Sequence, residues 1–132
     1  MGVTDDHVLC ASGVVLAGLG LGTALAATQP AFDKLILANG TKSAWGNVGP
    51  AFVGVTVGSL AARDIALACN KDAVTKTKKN ALKIVGVTHG LWAGWSMANV
   101  ANKDFKQIGG SAVAGVHAGL SVMALLRGFK KD

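Results

Sequence analysis

The 132-residue sequence predicts an all-α fold, an integral membrane four-helix bundle with antiparallel up-down connections, and three observations carry that prediction. Four uncharged stretches, residues 8–32, 43–62, 84–102 and 107–126, are each about long enough to cross a hydrocarbon core of roughly 30 Å as a helix. The charges, 15% of the chain against 51% hydrophobic residues, fall between those stretches, whereas a water-soluble amphipathic helix would interleave them along one face. Glycines four residues apart recur in every stretch, as Gly18/Gly22, Gly54/Gly58, Gly86/Gly90/Gly94 and Gly115/Gly119. Small residues at that spacing let helix backbones approach closely where lipid removes the hydrophobic drive between helices. The chain is expected to be one transmembrane domain, residues 1–132, with spans at about 8–28, 45–66, 82–101 and 108–127.

The first span follows the acidic Asp5 and Asp6. Ala24-Leu25-Ala26 has the small residues of a signal-peptidase site, but a signal peptide would be basic before a shorter apolar region, so the segment is expected to stay in the protein. The second span tolerates Pro50 in its first turns and ends at Arg63-Asp64. Each of those two charges would cost about 3 kcal/mol at the bilayer centre, which places them at the interface, pointing in different directions and not paired with each other. The third span carries His89, Trp92 and Trp95, and the fourth carries His117 and runs to Arg127. Trp45 and Phe105 fall near the end opposite the termini, where aromatic rings anchor at headgroups.

Four spans put both termini and the 69–80 loop on one side, together with Lys71, Lys76, Lys78, Lys79, Lys83, Arg127, Lys130 and Lys131. The other side holds only Lys34, Lys42, Lys103 and Lys106. The positive-inside rule assigns the basic side to the cytoplasm or to the matrix or stroma of an organelle, and an inner mitochondrial or thylakoid membrane is the expected location. The net charge of +6 is then mostly a topology signal, although a basic membrane face also attracts anionic lipids. Nothing in the chain resembles a nucleophile with its base, a phosphate-cradling loop or a nucleic-acid surface, so neither an enzyme nor a nucleic-acid partner is expected.

Ionisable groups inside a span are functional candidates by default, and here they are Arg63, Asp64, His89 and His117. Counted from the basic side, both histidines lie roughly 12 to 14 Å deep at 1.5 Å per residue, so antiparallel neighbours bring them to one level. Two facing imidazoles could ligate a haem iron, and one alone could ligate a chlorophyll magnesium or relay a proton; the plainer reading is a hydrogen bond between helices and no cofactor. At 100° per residue, His117 falls opposite Gly115 and Gly119, and Arg63 falls opposite Gly54 and Gly58. In a lone bundle either the polar residue or the glycine ridge would face lipid, and other membrane subunits docking on the ridges resolve the conflict.

At Arg63-Asp64, His89-Gly90 and His117 the chain resembles an uncharacterised family of small four-span integral membrane proteins over residues 46–127. The resemblance implies an accessory role and assigns no reaction. Gly18, Gly20 and Gly22 are also similar to the glycine stripe of rotary ATPase proteolipids, but the mid-span carboxylate that carries the proton there is absent. The expected function is a non-catalytic small subunit of a larger respiratory or photosynthetic membrane assembly. The alternatives are a haem- or pigment-binding protein using His89 and His117, or a small transporter or channel.

Overall fold

The computed structural model describes residues 2–26 and 48–130, and among them the architecture is all-α, with four helices and no strands. They are α1 (Asp5–Ala26), α2 (Val48–Cys69), α3 (Thr75–Ala101) and α4 (Gln107–Phe129). The predicted first loop with Lys34 and Lys42, Trp45, Lys131 and the surroundings of Gly22 lie outside the described residues.

Local chemistry sets where each helix begins and ends. Thr4 Oγ1 accepts from the His7 backbone N–H while His7 Nδ1 accepts from the Thr4 N–H, a reciprocal cap in which histidine takes the usual glutamate position. Asp5 and Asp6 then place negative charge at the positive end of the α1 dipole. Between α2 and α3, Asn70 Oδ1 accepts from the Asp72 N–H to form a tight polar turn. Between α3 and α4 the chain reverses through Lys103, whose φ of 65° lies in the left-handed region, and the N–H groups of Asp104 and Phe105 close onto Asn99 O. The helix of the third segment extends back to Thr75, beyond its apolar stretch, because Lys76, Lys78, Lys79 and Lys83 continue it for two turns.

The four helices form two antiparallel hairpins, α1 with α2 and α3 with α4, and glycine sets the closeness of each. A methyl group on Gly20 would come within 3.0 Å of both Gly54 O and Gly58 N, so α1 and α2 touch backbone to backbone there. One on Gly86 would lie 2.5 Å from the Leu125 side chain, and one on Gly128 would lie 3.0 Å from Lys83 N. The hairpins meet through two apolar layers. One holds Val8, Leu9, Leu82, Val85 and Ala124; the other holds Leu16, Val57 and Ala61 with Trp92 packed against it.

Both described termini and the 70–74 turn lie at the same end. Arg127 pairs with Asp5 at 2.5 Å, Lys78 pairs with Asp6 at 2.7 Å, and Lys79 Nζ donates to Lys130 O. Among the described residues Gln107–Phe129 is the one helix long and apolar enough to cross a membrane, against the four spans expected from the sequence, and only 28% of its most apolar stretch is buried inside the protein. By the same measure α3 falls short, because its four lysines precede a segment that also carries His89, Ser96 and Asn99. Phe105, expected as an interfacial anchor, is instead buried edge-on to Trp95 with ring centroids 5.2 Å apart.

Candidate functional site

Each helix presents an inward stripe, and each stripe contains one polar residue at the same depth. On α1 the stripe is Val8, Leu9, Ser12 and Leu16; on α2 it is Val57, Ala61 and Asp64. On α3 it includes Leu82, Val85, His89 and Ser96, and on α4 it runs Gly110, Ala114, His117, Ser121, Ala124 and Gly128 in steps of four and three. That spacing keeps residues on one face of a helix. Ser12, Asp64, His89 and His117 therefore converge as a polar layer between the two apolar ones, each 0% or 1% exposed.

They form one continuous hydrogen-bonded chain. Arg63 donates to Asp64 Oδ1 through Nε at 2.8 Å and Nη2 at 2.6 Å. Ser12 Oγ donates to Asp64 Oδ2 at 2.7 Å and lies 2.9 Å from His89 Nε2. His89 Nδ1 lies 2.6 Å from His117 Nδ1. Trp92 stacks on the His117 ring, with centroids 5.8 Å apart and planes 21° from parallel. Two buried polar atoms have no hydrogen-bond partner among the described residues: His117 Nε2 and Ser96 Oγ.

The structure brings His89 and His117 into direct contact, as their common depth predicts. It differs for Arg63 and Asp64, which were expected not to pair and to reach the interface together. Asp64 is fully buried, and the longer Arg63 side chain, 34% exposed, bends around the helix to reach it. A short carboxylate cannot reach water from an inward position, whereas a guanidinium on a flexible stem can keep one edge outside. Gly54 and Gly58 also differ from expectation, since they face Gly20 of the same chain. Nothing lies within 4 Å of a methyl group placed on Gly18, Gly58, Gly94, Gly115 or Gly119, so at Gly58 it is the backbone and not the Cα hydrogen side that meets Gly20, whereas a methyl on Gly90 would meet Ser121 Oγ at 3.0 Å.

Ser12, Ser96 and Ser121 are absent from a reading that looks only for charges and histidines. The stripe itself would have found them, because Ser12 stands four residues from both Val8 and Leu16, and Ser121 stands four from His117. Ser121 is committed to the bundle, donating to Gly86 O at 2.7 Å across the α3–α4 contact.

The chain contains the residue types of a hydrolytic triad in the wrong order. In a triad the histidine lies between serine and carboxylate and takes the serine proton. Here Ser12 is in the middle, and its single proton goes to Asp64, which leaves no activated nucleophile. A metal shared by the two histidines does not fit either: with bonds of about 2 Å to each imidazole nitrogen, the two nitrogens would stand more than about 3 Å apart, and they are 2.6 Å apart. Among the described residues no group of three or more histidine, cysteine, aspartate or glutamate side chains is placed to hold a metal ion.

In comparisons with known proteins, no family model matches the chain, and no curated protein and no solved structure does.

Proposed function

We propose that this protein is a small integral membrane subunit whose outer surface docks onto transmembrane helices of a larger assembly, with its basic end toward the cytoplasm, matrix or stroma. One observation carries the reading: the distribution of polarity is inverted. Ser12, Asp64, Lys78, His89, Ser96, His117 and Ser121 are buried, while Ile84, Leu91, Ile108, Val122, Leu126 and Phe129 are each more than half exposed. Water would favour the reverse, and contiguous exposed apolar surface on this scale marks contact with lipid or protein. Polar residues turned inward and linked to one another are the arrangement a hydrocarbon surrounding favours.

The outward face of α4 adds the reason for a protein partner. Ile108, Val122 and Leu126 flank the open Gly115 and Gly119, and beside them a shallow apolar groove of about 360 Å³ is lined by Gly94, Met97, Ala114, Gly115 and Ala118. Lipid chains gain little from a notched helix, whereas another helix can seat its backbone there.

Two measurements test the proposal. Cys69, free and exposed at the basic end of α2, gives a topology probe once Cys10 is replaced by alanine. The protein is expected to remain with sealed membranes after alkaline washing, and an impermeant maleimide should label Cys69 from one face only. Release into the wash would sink the membrane placement. In native membranes, Gly115→Leu together with Gly119→Leu is expected to abolish co-purification of the partner subunits, and retention of all of them would rule out docking through α4.

A further inference from the structure

We infer that the basic end of α3 binds an anionic phospholipid whose headgroup carries no cation, of the phosphatidylglycerol type, with its phosphate at Lys83 and one acyl chain in the groove beneath. That groove, about 280 Å³ in volume, is lined by Lys83, Ile84, Val87 and Thr88 on the outward side of α3. Its apolar wall continues along the helix, because Ile84, Val87 and Leu91 are each more than half exposed. Residues three, four and seven apart share one side of a helix, so the three form a continuous strip. Branched side chains line this wall, where small residues line the groove beside α4. An acyl chain can follow such a surface, whereas a helix backbone cannot approach it closely.

Charge selects the headgroup. Two cations at this end are neutralised within the protein, Arg127 by Asp5 and Lys78 by Asp6. Lys83 and Lys76 have no carboxylate partner among the described residues. The Lys83 stem packs on Gly128, where an added methyl would lie 2.9 Å from Cγ, and its Nζ stands 4.9 Å from the Phe129 ring centroid. Gly128 and Phe129 end α4, so these contacts hold the ammonium toward the basic end of the groove. A cation already fixed over a ring loses less freedom when a phosphate docks on it. Lys76 lies seven residues earlier on the same side of α3, about 10 Å nearer the water. A phosphate at Lys83 therefore directs the rest of its headgroup toward Lys76. The ammonium of a choline or ethanolamine headgroup would meet a like charge there, and a glycerol headgroup would not. Thr88 lines the same groove deeper down, near the level of the ester carbonyls, to which its hydroxyl can donate.

The inference rests on the membrane placement proposed above and not on the docking of α4. The full chain is reconstituted in nanodiscs of equal phosphatidylglycerol and phosphatidylcholine, and native mass spectrometry of the released protein counts the lipids it retains. The expected preference for phosphatidylglycerol is about tenfold, lowered about fivefold by Lys83→Gln and kept in Lys83→Arg. Lys71→Gln removes the same charge from the exposed 70–74 turn, outside the groove, and should leave the preference within about twofold. Equal retention of the two lipids by a chain that stays in the nanodiscs through alkaline washing would overturn the lipid site alone. Loss of the chain from the nanodiscs would overturn the membrane placement, and the site with it. A drop in Lys71→Gln as large as that in Lys83→Gln would also reject the site, because diffuse surface charge does not distinguish the two positions. Glycerol phosphate in solution should not compete, since it lacks the chain that fills the groove; full displacement by it would reject the lipid as the occupant.

Discussion

Two glycine ridges with the same spacing have opposite fates in this molecule. The backbone of Gly54 and Gly58 on α2 lies 3.0 Å from a methyl group placed on Gly20 of α1, although one on Gly58 itself would meet nothing, whereas no other helix approaches Gly115 and Gly119 on α4 in this way. The difference lies in the polar residue on each helix. At 100° per residue His117 sits about 160 to 200° from its ridge, so turning it inward turns the glycines out. Asp64 sits only about 80 to 120° from Gly54 and Gly58, so α2 can bury the carboxylate and the ridge together. Small-residue spacing states that a close approach is possible; the nearest obligatorily buried polar group decides whether that approach is internal or external.

Removing the deciding group should have the largest effect. Asp64→Ala leaves Arg63 and Ser12 without their acceptor, and breaking a buried ion pair in this way costs about 3 to 5 kcal/mol. Unfolding followed by helical circular dichroism in mild detergent measures it. A cost no greater than that of a surface substitution would mean that the ridge, not the carboxylate, orients α2. Next in size is Gly20→Ala, whose added methyl meets backbone atoms at 3.0 Å that cannot move aside, for an expected loss of about 1 to 3 kcal/mol. The smallest effect has the opposite sign. Gly115→Ala and Gly119→Ala meet nothing in the isolated protein and relieve the helix-interior penalty of glycine, so each should stabilise it by about 0.5 to 1 kcal/mol in the same assay. Destabilisation by either would show that α4 is already covered.

The helical architecture was legible because uncharged stretches bounded by lysine clusters and short polar turns leave few alternatives. The His89–His117 contact was legible for a geometric reason, since two residues at equal depth on adjacent antiparallel helices must be level. Arg63 and Asp64 were harder, because the register of α2 depends on which of two neighbouring charges turns inward. Helical angle separates them by only about 100°, and side-chain length settles the choice. Ser12 was hidden for another reason: serine is common in any composition and gains significance only when two other helices deliver an acceptor and a donor to its one hydroxyl group.

Because each of the four helices contributes one member to the polar chain, the molecule cannot be divided without leaving a bare group in its interior. Loss of α1 strips Asp64 and His89 of their link, and loss of α4 leaves His89 Nδ1 unmatched. The two hairpins look like separable modules by backbone packing, yet neither can be exchanged for an unrelated hairpin that lacks its two polar positions. The two hairpins therefore fold as one unit, because each supplies two of the four buried polar positions.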